Sequence, residues 1–318
     1  MILNITNGDS AVGIMQQAGI PGDFLPWRDV LHDGPVPDGL SLEELSQVRA
    51  DFIVERGWGT AQAVTEGFIE RDKTLRNYRD YTKVILWFEH DLYDQLQILQ
   101  ILDWFREHPP EADRLTIICT EHYLGMCTAE EMKALTVHEE TVTDHHLRLA
   151  KKAWAAFRAA TPEPWQALLH EDTALLPFLH GAVLRQLQEY PDCASGLSLT
   201  AQRALRIIAQ GEQRAGRVFG SYQQTEDRRF MGDASFWVML QQMLDANSPL
   251  LTLPPGKSLT LPTSPDQTLS ITSEGEAVLD GKRNWLEING VDHWIGGVHL
   301  TPENLWCWNS NDRRLCKQ

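Results

Sequence analysis

Histidines flanked by carboxylates occur at three places in the first 125 residues, and these residue types can do acid-base or metal chemistry. An imidazole between carboxylates can act as a general base whose pKa is set by its neighbours, or as a metal ligand. The densest group is Glu89-His90-Asp91, followed closely by Asp94. We therefore predict that His90 is catalytic, with Glu89 or Asp91 orienting it. The other two groups are His32-Asp33 and Glu121-His122.

Structural roles compete with these chemical ones. Asp91 would also cap a following helix, and Asp94 would suit its first turn, because helix N-termini attract negative charge. His90 has no capping role, and we expect it in a partly exposed loop. Three imidazoles with carboxylates could hold zinc or another divalent ion, but their spacing matches no local metal motif such as H-E-x-x-H. The sequence therefore leaves the metal and any cofactor unknown.

The segment Asn7-Gly8-Asp9-Ser10 has the composition of an anion-binding loop. Glycine permits close approach of a ligand, and the N-terminus of the helix predicted to follow favours a phosphate or carboxylate. We expect Arg28 to be a charge partner of that ligand. The alternative is that Asp9 or Ser10 only caps the helix. The predicted ligand-binding set is Asn7, Gly8, Asp9, Ser10, Arg28, His32, Asp33, Asp94, Glu121 and His122.

Most of these polar groups follow short apolar runs that are typical of buried strands. The runs are 2–6, 84–88 and 115–120, with a further short strand predicted at 24–27. Strands alternating with helices indicate an α/β fold with a Rossmann-like, mostly parallel sheet, whose ligands bind at the carboxyl edge. We therefore expect one cleft to be lined by Asn7, Asp9, Arg28, His32, Glu89, His90 and Asp91.

The pattern changes in the second half of the chain. Residues 143–190 read as helical, and a linker follows at 191–196. Further helices are predicted at 198–209 and 233–246, extended segments at 259–261 and 269–271, and a tight hairpin at Asn289-Gly290. Helices followed by a hairpin and a short helix resemble the winged-helix plan. We predict a Rossmann-like α/β domain at 1–140, a helical connector at 141–195, and a winged-helix-like α+β C-terminal domain at 196–318.

The charge balance bears on partners. The chain has 28 Lys and Arg against 44 Asp and Glu, for a formal net charge of −16. Such a chain repels nucleic acid, and its only adjacent arginine pairs are Arg228-Arg229 and Arg313-Arg314, so we expect no tight, sequence-specific binding of duplex DNA. The sequence contains no run of about 18 apolar residues, so we expect no membrane-spanning helix. The N-terminus lacks signal-peptide features, and five cysteines without C-x-x-C spacing favour a reducing compartment, so we expect a cytoplasmic protein.

Several phrases of the sequence resemble those of a bacterial family known as a domain of unknown function, DUF1835. They are residues 5–10, 27–35, 86–95, 230–233 and 294–298, and the resemblance covers nearly the full chain. The resemblance implies that these segments are the motifs that define the family, and it implies no activity. Two hypotheses about function remain. The protein binds or processes a small anionic or phosphorylated ligand at the sheet edge, or it senses a ligand and acts as a regulatory or protein-interaction module through its C-terminal domain. Whether it is an enzyme stays open.

Overall fold

A five-stranded sheet organises the first of two units of the chain. The computed structural model describes residues 1–111, 113–211, 213–261 and 263–318. The first unit comprises Met1–Val183 with Gly296–Val298, and the second comprises Leu184–Ile295 with His299–Gln318. The elements up to the boundary are β1 (Ile2–Thr6), α1 (Asp9–Gln17), β2 (Asp23–Pro26), β3 (Gly34–Pro35), α2 (Leu42–Glu55), α3 (Ala61–Arg76), β4 (Lys83–Glu89), α4 (Leu92–Glu107), β5 (Leu115–Thr120), α5 (Ala129–Ala134), β6 (Glu140–Thr141), α6 (Asp144–Arg158), α7 (Glu163–Ala167) and α8 (Leu179–Leu187).

The sheet has the strand order β2-β1-β4-β5-β6, in which only β6 runs antiparallel to its neighbour. This confirms the predicted α/β class with a mainly parallel sheet. The three central strands, β1, β4 and β5, are buried along almost their whole length, as expected for parallel strands covered on both faces. In the register, Thr6 pairs with Trp87, and Glu89 pairs with Thr120. The carboxyl ends of β1, β4 and β5 therefore lie at one edge.

Capping side chains set the starts of the helices that cross between these strands. The Asp91 carboxylate accepts hydrogen bonds from the backbone of Tyr93 and Asp94, and α4 begins there. Capping boxes that begin at Ser41 and Thr128 are present at the starts of α2 and α5. Each satisfies backbone N–H groups that a helix N-terminus leaves without partners. The crossover helix α4 is then buried along most of its length.

The second unit is built from helices and small antiparallel strand pairs. Its elements are α9 (Leu199–Ala209), α10 (Ala215–Gln223), α11 (Asp233–Asp245), β7 (Leu251–Thr252), β8 (Ser270–Ile271), α12 (Ser273–Leu279), α13 (Trp285–Asn289), β9 (His293–Gly296), β10 (Val298–Leu300), β11 (Trp306–Asn309) and β12 (Arg314–Lys317). The pairs β7–β8 and β11–β12 are both antiparallel. Its core includes the fully buried side chains of Leu205, Tyr222, Phe236 and Leu240.

One prediction for this unit is wrong. The expected tight hairpin at Asn289-Gly290 is instead the end of α13, where Gly290 has a φ of 76°. Asn-Gly suits both structures, because glycine adopts the left-handed conformation at a helix C-terminus as easily as in a turn. Residues 259–261 form no strand, and the strand that pairs with β8 is β7. Among the helices of the described residues, none is long and apolar enough to cross a membrane.

Candidate functional site

The parallel pairing of β1 and β4 brings the residues after these strands into contact. Asn7 follows β1 directly, and Glu89 is the last residue of β4. The Asn7 Nδ2 donates to Glu89 Oε1 at 2.8 Å and to Asp94 Oδ2 at 3.0 Å. One amide therefore joins two carboxyl groups that lie more than 80 positions away in the sequence.

Glu89, Asp91 and Asp94 form a carboxylate cluster at this edge of the sheet. All three residues are buried, with exposed fractions of 5%, 3% and 1%. One carboxylate oxygen from each lies within 4.8 Å of the other two. Buried like charges at this spacing repel strongly, and this repulsion favours protonation of the cluster or the binding of a cation.

Backbone amides hold the three side chains in place. Glu89 Oε1 accepts from the Leu124 N–H at 2.8 Å, and Asp94 Oδ1 accepts from the Glu89 N–H at 2.7 Å. Asp91 Oδ1 accepts from the Tyr93 N–H at 2.9 Å and caps α4, so the structural role weighed for Asp91 is real. Asp94 lies in the first turn of α4 as predicted, and its buried carboxylate in addition accepts a hydrogen bond from the backbone of β4. These donors are neutral, and they orient the carboxylates without removing their charge.

The electrostatic consequence is a set of raised carboxyl pKa values. Burial, and then the charge of Glu89, raise the pKa of Asp91 to about 8. Burial also raises the pKa of Asp94 well above its usual range, with the charges of Asp91 and Glu89 acting in the same direction. A hard divalent cation could replace the protons, because Mg²⁺ and Ca²⁺ prefer carboxylate oxygens. Glu89, Asp91 and Asp94 are the residues that could hold it.

The two central histidines are both buried. His90 has an exposed fraction of 7%, and its ring centroid lies 5.0 Å from that of Tyr123 and 5.9 Å from that of Phe178. The expectation of a partly exposed loop imidazole is therefore wrong, because aromatic side chains from later in the sequence cover it. His32 lies 5.9 Å from the ring of Tyr93. The Tyr93 hydroxyl donates to the Asn7 carbonyl at 3.4 Å, which connects this pair to the site.

Arg28 and Asp9 bind each other at the surface. Arg28 Nη2 lies 2.6 Å from Asp9 Oδ1, and both side chains are more than half exposed. The hydrogen bond from Arg28 lowers the pKa of Asp9. The predicted capping by Asp9 or Ser10 is wrong, since the N-cap of α1 is Gly8 and no side chain caps it. Gly8 itself has extended backbone, and a Cβ there would meet nothing within 4 Å.

The remaining predicted ligand residues have no described hydrogen bond to the carboxylate cluster. The Asp33 carbonyl accepts from Arg49 Nη1 at 2.8 Å, which is a structural contact. Glu121 and His122 are exposed in the turn after β5, where the His122 N–H donates to Thr120 Oγ1. Sequence reasoning missed Leu124, Tyr123 and Phe178. A backbone donor such as Leu124 has no sequence signal, and Phe178 is too distant in sequence for local patterns to place it.

Comparison with known proteins gives no family for this chain. No protein-family model matches it, and no curated protein is significantly similar to it. The resemblance to DUF1835 stays a prediction.

Proposed function

We propose that the first unit binds a small anionic or phosphorylated ligand at the carboxyl edge of its sheet, through a hard divalent cation in the carboxylate cluster. The observation that supports this most is the close approach of three buried carboxylates, Glu89, Asp91 and Asp94, at the end of β4. An anion would be repelled by such a cluster alone. With a cation bound there, the same site attracts phosphate oxygens.

Chemistry on the ligand is the further step of this proposal. A divalent cation polarises a phosphoryl or carbonyl oxygen, which is the usual contribution of such ions to hydrolysis and group transfer. His90 follows Glu89 directly, and we retain it as the candidate general base, with Tyr123 and Phe178 excluding water from its ring. Arg28 is the candidate surface contact for the ligand, once it exchanges Asp9 for the incoming anion.

Titration calorimetry on the full chain tests the cation step. After chelator treatment and buffer exchange, Mg²⁺, Mn²⁺ and Ca²⁺ are titrated separately, and inorganic phosphate is then added to the best binder. We expect one site, and Asp94→Asn should weaken it about tenfold or more because a charged ligand is lost. Asp103→Asn is the matched control, since Asp103 is a half-buried carboxylate of α4 whose pKa burial raises to about 6.

Equal cation binding by Asp94→Asn and the wild type would contradict the proposal, as would no binding of any of the three ions. If the ion binds and phosphate does not, the cation site stands, and the class of ligand assigned to it is wrong.

A second candidate function is a protein-interaction module of the winged-helix type in the second unit. The order α9, α10, α11 and the hairpin β7–β8 supports it, together with the antiparallel bridge between Arg214 and Thr268. The helix α11, which would occupy the recognition position, contains no Lys or Arg. This composition favours a protein partner in the cytoplasm over duplex DNA. A salt-dependent gel shift with random duplex DNA at nanomolar protein would overturn that preference.

A further inference from the structure

Three of the five cysteines come together in the second unit, although their spacing in the sequence matches no local metal motif. Cys307 on β11 and Cys316 on β12 lie directly opposite each other in the antiparallel pair. Cys193 lies beside β11. Its backbone N–H donates to the Trp308 carbonyl at 3.2 Å, and the Trp308 N–H donates to the Pro191 carbonyl at 2.7 Å. Three separate segments of the chain therefore meet at β11, and each carries a thiol.

The alternation of side chains along a strand places the three thiols on one face. Residues opposite each other in a ladder point to the same face, which Cys307 and Cys316 therefore share. A parallel bridge aligns Asp192 with Trp308. The residue after Asp192 and the residue before Trp308 both point to the opposite face. These residues are Cys193 and Cys307, so all three sulfur atoms lie on the same side of the β11–β12 pair.

The effects of the thiols on one another agree with this placement. Burial, and then the ionised form of Cys316, raise the pKa of Cys193 to about 11. Burial, and then the ionised form of Cys193, raise the pKa of Cys307 to about 12. The Cys193 thiol is therefore close to both of the others. Without a metal, Cys193 and Cys307 keep their protons at neutral pH, so neither is activated as a nucleophile.

An ion can reach the thiols from solvent. Cys193 and Cys316 are partly exposed, whereas Cys307 is buried. Among the described residues only the carboxylate cluster has three ligand atoms within 4.8 Å of one another, so the sulfur atoms must move closer together around an ion. Zinc–sulfur bonds of about 2.3 Å place two ligand sulfurs roughly 3.8 Å apart. Rotation of the Cys193 and Cys316 side chains between staggered rotamers supplies such a movement.

We propose that Cys193, Cys307 and Cys316 bind one thiophilic metal ion, with Zn²⁺ as the first candidate. Three sulfur–metal bonds form and the three thiol protons pass to solvent, so no electrons are transferred. A water molecule fills the fourth tetrahedral position, as it does where zinc has three protein ligands. Soft thiolates select Zn²⁺ or Cu⁺, whereas carboxylates suit Mg²⁺, Ca²⁺ and Mn²⁺. The site therefore differs from the carboxylate cluster in its residues and in the ion that it prefers.

Cobalt spectroscopy on the full chain tests the proposal, because Co²⁺ can occupy zinc sites and its bonds to thiolates absorb strongly in the near ultraviolet. The protein is reduced with a phosphine, treated with chelator and exchanged into buffer before Co²⁺ is added. We expect a thiolate band that disappears when the more tightly bound Zn²⁺ is added. Co²⁺ in the carboxylate cluster gives no thiolate band, so the outcome is independent of the site on the first unit.

Two variants assign the band to these cysteines. Cys193→Ser and Cys316→Ser each remove one thiolate from a partly exposed position. Each should reduce the band and weaken Co²⁺ binding at this site about tenfold or more. Cys127→Ser is the matched control, since Cys127 belongs to the first unit, and it should leave the band unchanged.

Alkylation followed by mass spectrometry gives a second measurement on the wild type that does not depend on the folding of any variant. Zn²⁺ should slow the alkylation of Cys193 and Cys316 severalfold and leave that of Cys127 unchanged. The proposal is overturned if the wild type shows no thiolate band at millimolar Co²⁺, if both variants keep the wild-type band and affinity, or if Zn²⁺ protects neither Cys193 nor Cys316.

Discussion

The first unit contains two groups of buried charged side chains. One group pairs opposite charges, and the other brings like charges together. In one, which we call the balanced network, Asp29 and Asp72 face Arg49 and Arg71. The other is the carboxylate cluster, whose members have the same sign of charge. All the members of both groups are buried. The two groups therefore differ in the charge of the side chains that contact each carboxylate, and not in burial.

In the balanced network each arginine has several partners. Arg49 Nε donates to Asp29 Oδ1 at 2.9 Å, and its other nitrogens donate to backbone carbonyls. Arg71 pairs with Asp72 at 2.8 Å, and its guanidinium lies 4.1 Å from the ring centroid of Trp27. The charges are balanced within the network, although Asp29 Oδ2 and Arg71 Nη1 have no hydrogen-bond partner among the described residues and lie 4.0 Å apart. The comparison teaches that the balanced network brings opposite charges together, whereas the carboxylate cluster brings together three groups of the same sign, an arrangement that favours protonation or a bound cation.

The largest expected effect comes from breaking the balanced network. Arg49→Met should lower the free energy of unfolding by about 3–5 kcal/mol, because the buried Asp29 carboxylate then keeps only its 4.0 Å ion pair with Arg71. Urea titration followed by circular dichroism measures this. Lys73→Met on the neighbouring helix is the control, since Lys73 is exposed and should change stability by less than about 0.5 kcal/mol. A loss below about 1 kcal/mol for Arg49→Met, close to the effect of a surface substitution, would end the distinction between the two groups.

The second prediction concerns stabilisation of the carboxylate cluster by a cation. At a Mn²⁺ concentration about a hundred times its Kd, wild-type stability should rise by about 2.7 kcal/mol, because the ion binds only the folded state. Asp94→Asn should lose most of that gain and change little without the ion, since relief of repulsion offsets the weaker hydrogen bonds. Thermal unfolding with and without Mn²⁺ measures both. An equal gain in both proteins would place the ion elsewhere.

The third prediction is a dependence of stability on pH in the chelator-treated protein. The Asp91 pKa is about 8 in the folded state and near 3.8 when unfolded, so between these values the folded state binds more protons. Stability therefore falls as pH rises, by roughly 2 kcal/mol from about pH 6 to about pH 8. Urea titrations at several pH values should give a shallower slope for Asp91→Asn. A wild-type curve that is flat over this range would mean that the carboxylates have another source of compensation.

The smallest expected effect is at the surface pair. Arg28→Gln should change stability by no more than about 1 kcal/mol, because exposed ion pairs contribute little. If Arg28 also contacts the ligand, the same variant should weaken phosphate binding to the cation-loaded protein. Asp9→Asn separates the two effects, since it removes the same ion pair and leaves Arg28 available. Phosphate binding that is weakened equally by both variants would count against a ligand role for Arg28.

Much of the frame of the site could be predicted from local sequence. Apolar runs that end in polar residues indicated β1, β4 and β5, and the rule that parallel strands end at one edge placed Asn7 beside Glu89. Capping boxes at Ser41 and Thr128 were readable because their hydrogen bonds join residues three positions apart. Asn289-Gly290 was misread, because the same local preference serves a helix end and a hairpin.

The sequence by itself determined which residues follow each strand and therefore which ones reach the carboxyl edge. Only the tertiary structure decided their chemistry. Burial beneath Tyr123 and Phe178 makes His90 an enclosed imidazole, and the turn of α4 presses Asp94 against Glu89. The pairing of Arg28 with Asp9 likewise depends on where two loops meet. The physical reason is that strand pairing follows local pattern, whereas burial and charge compensation depend on neighbours that only the folded chain brings together.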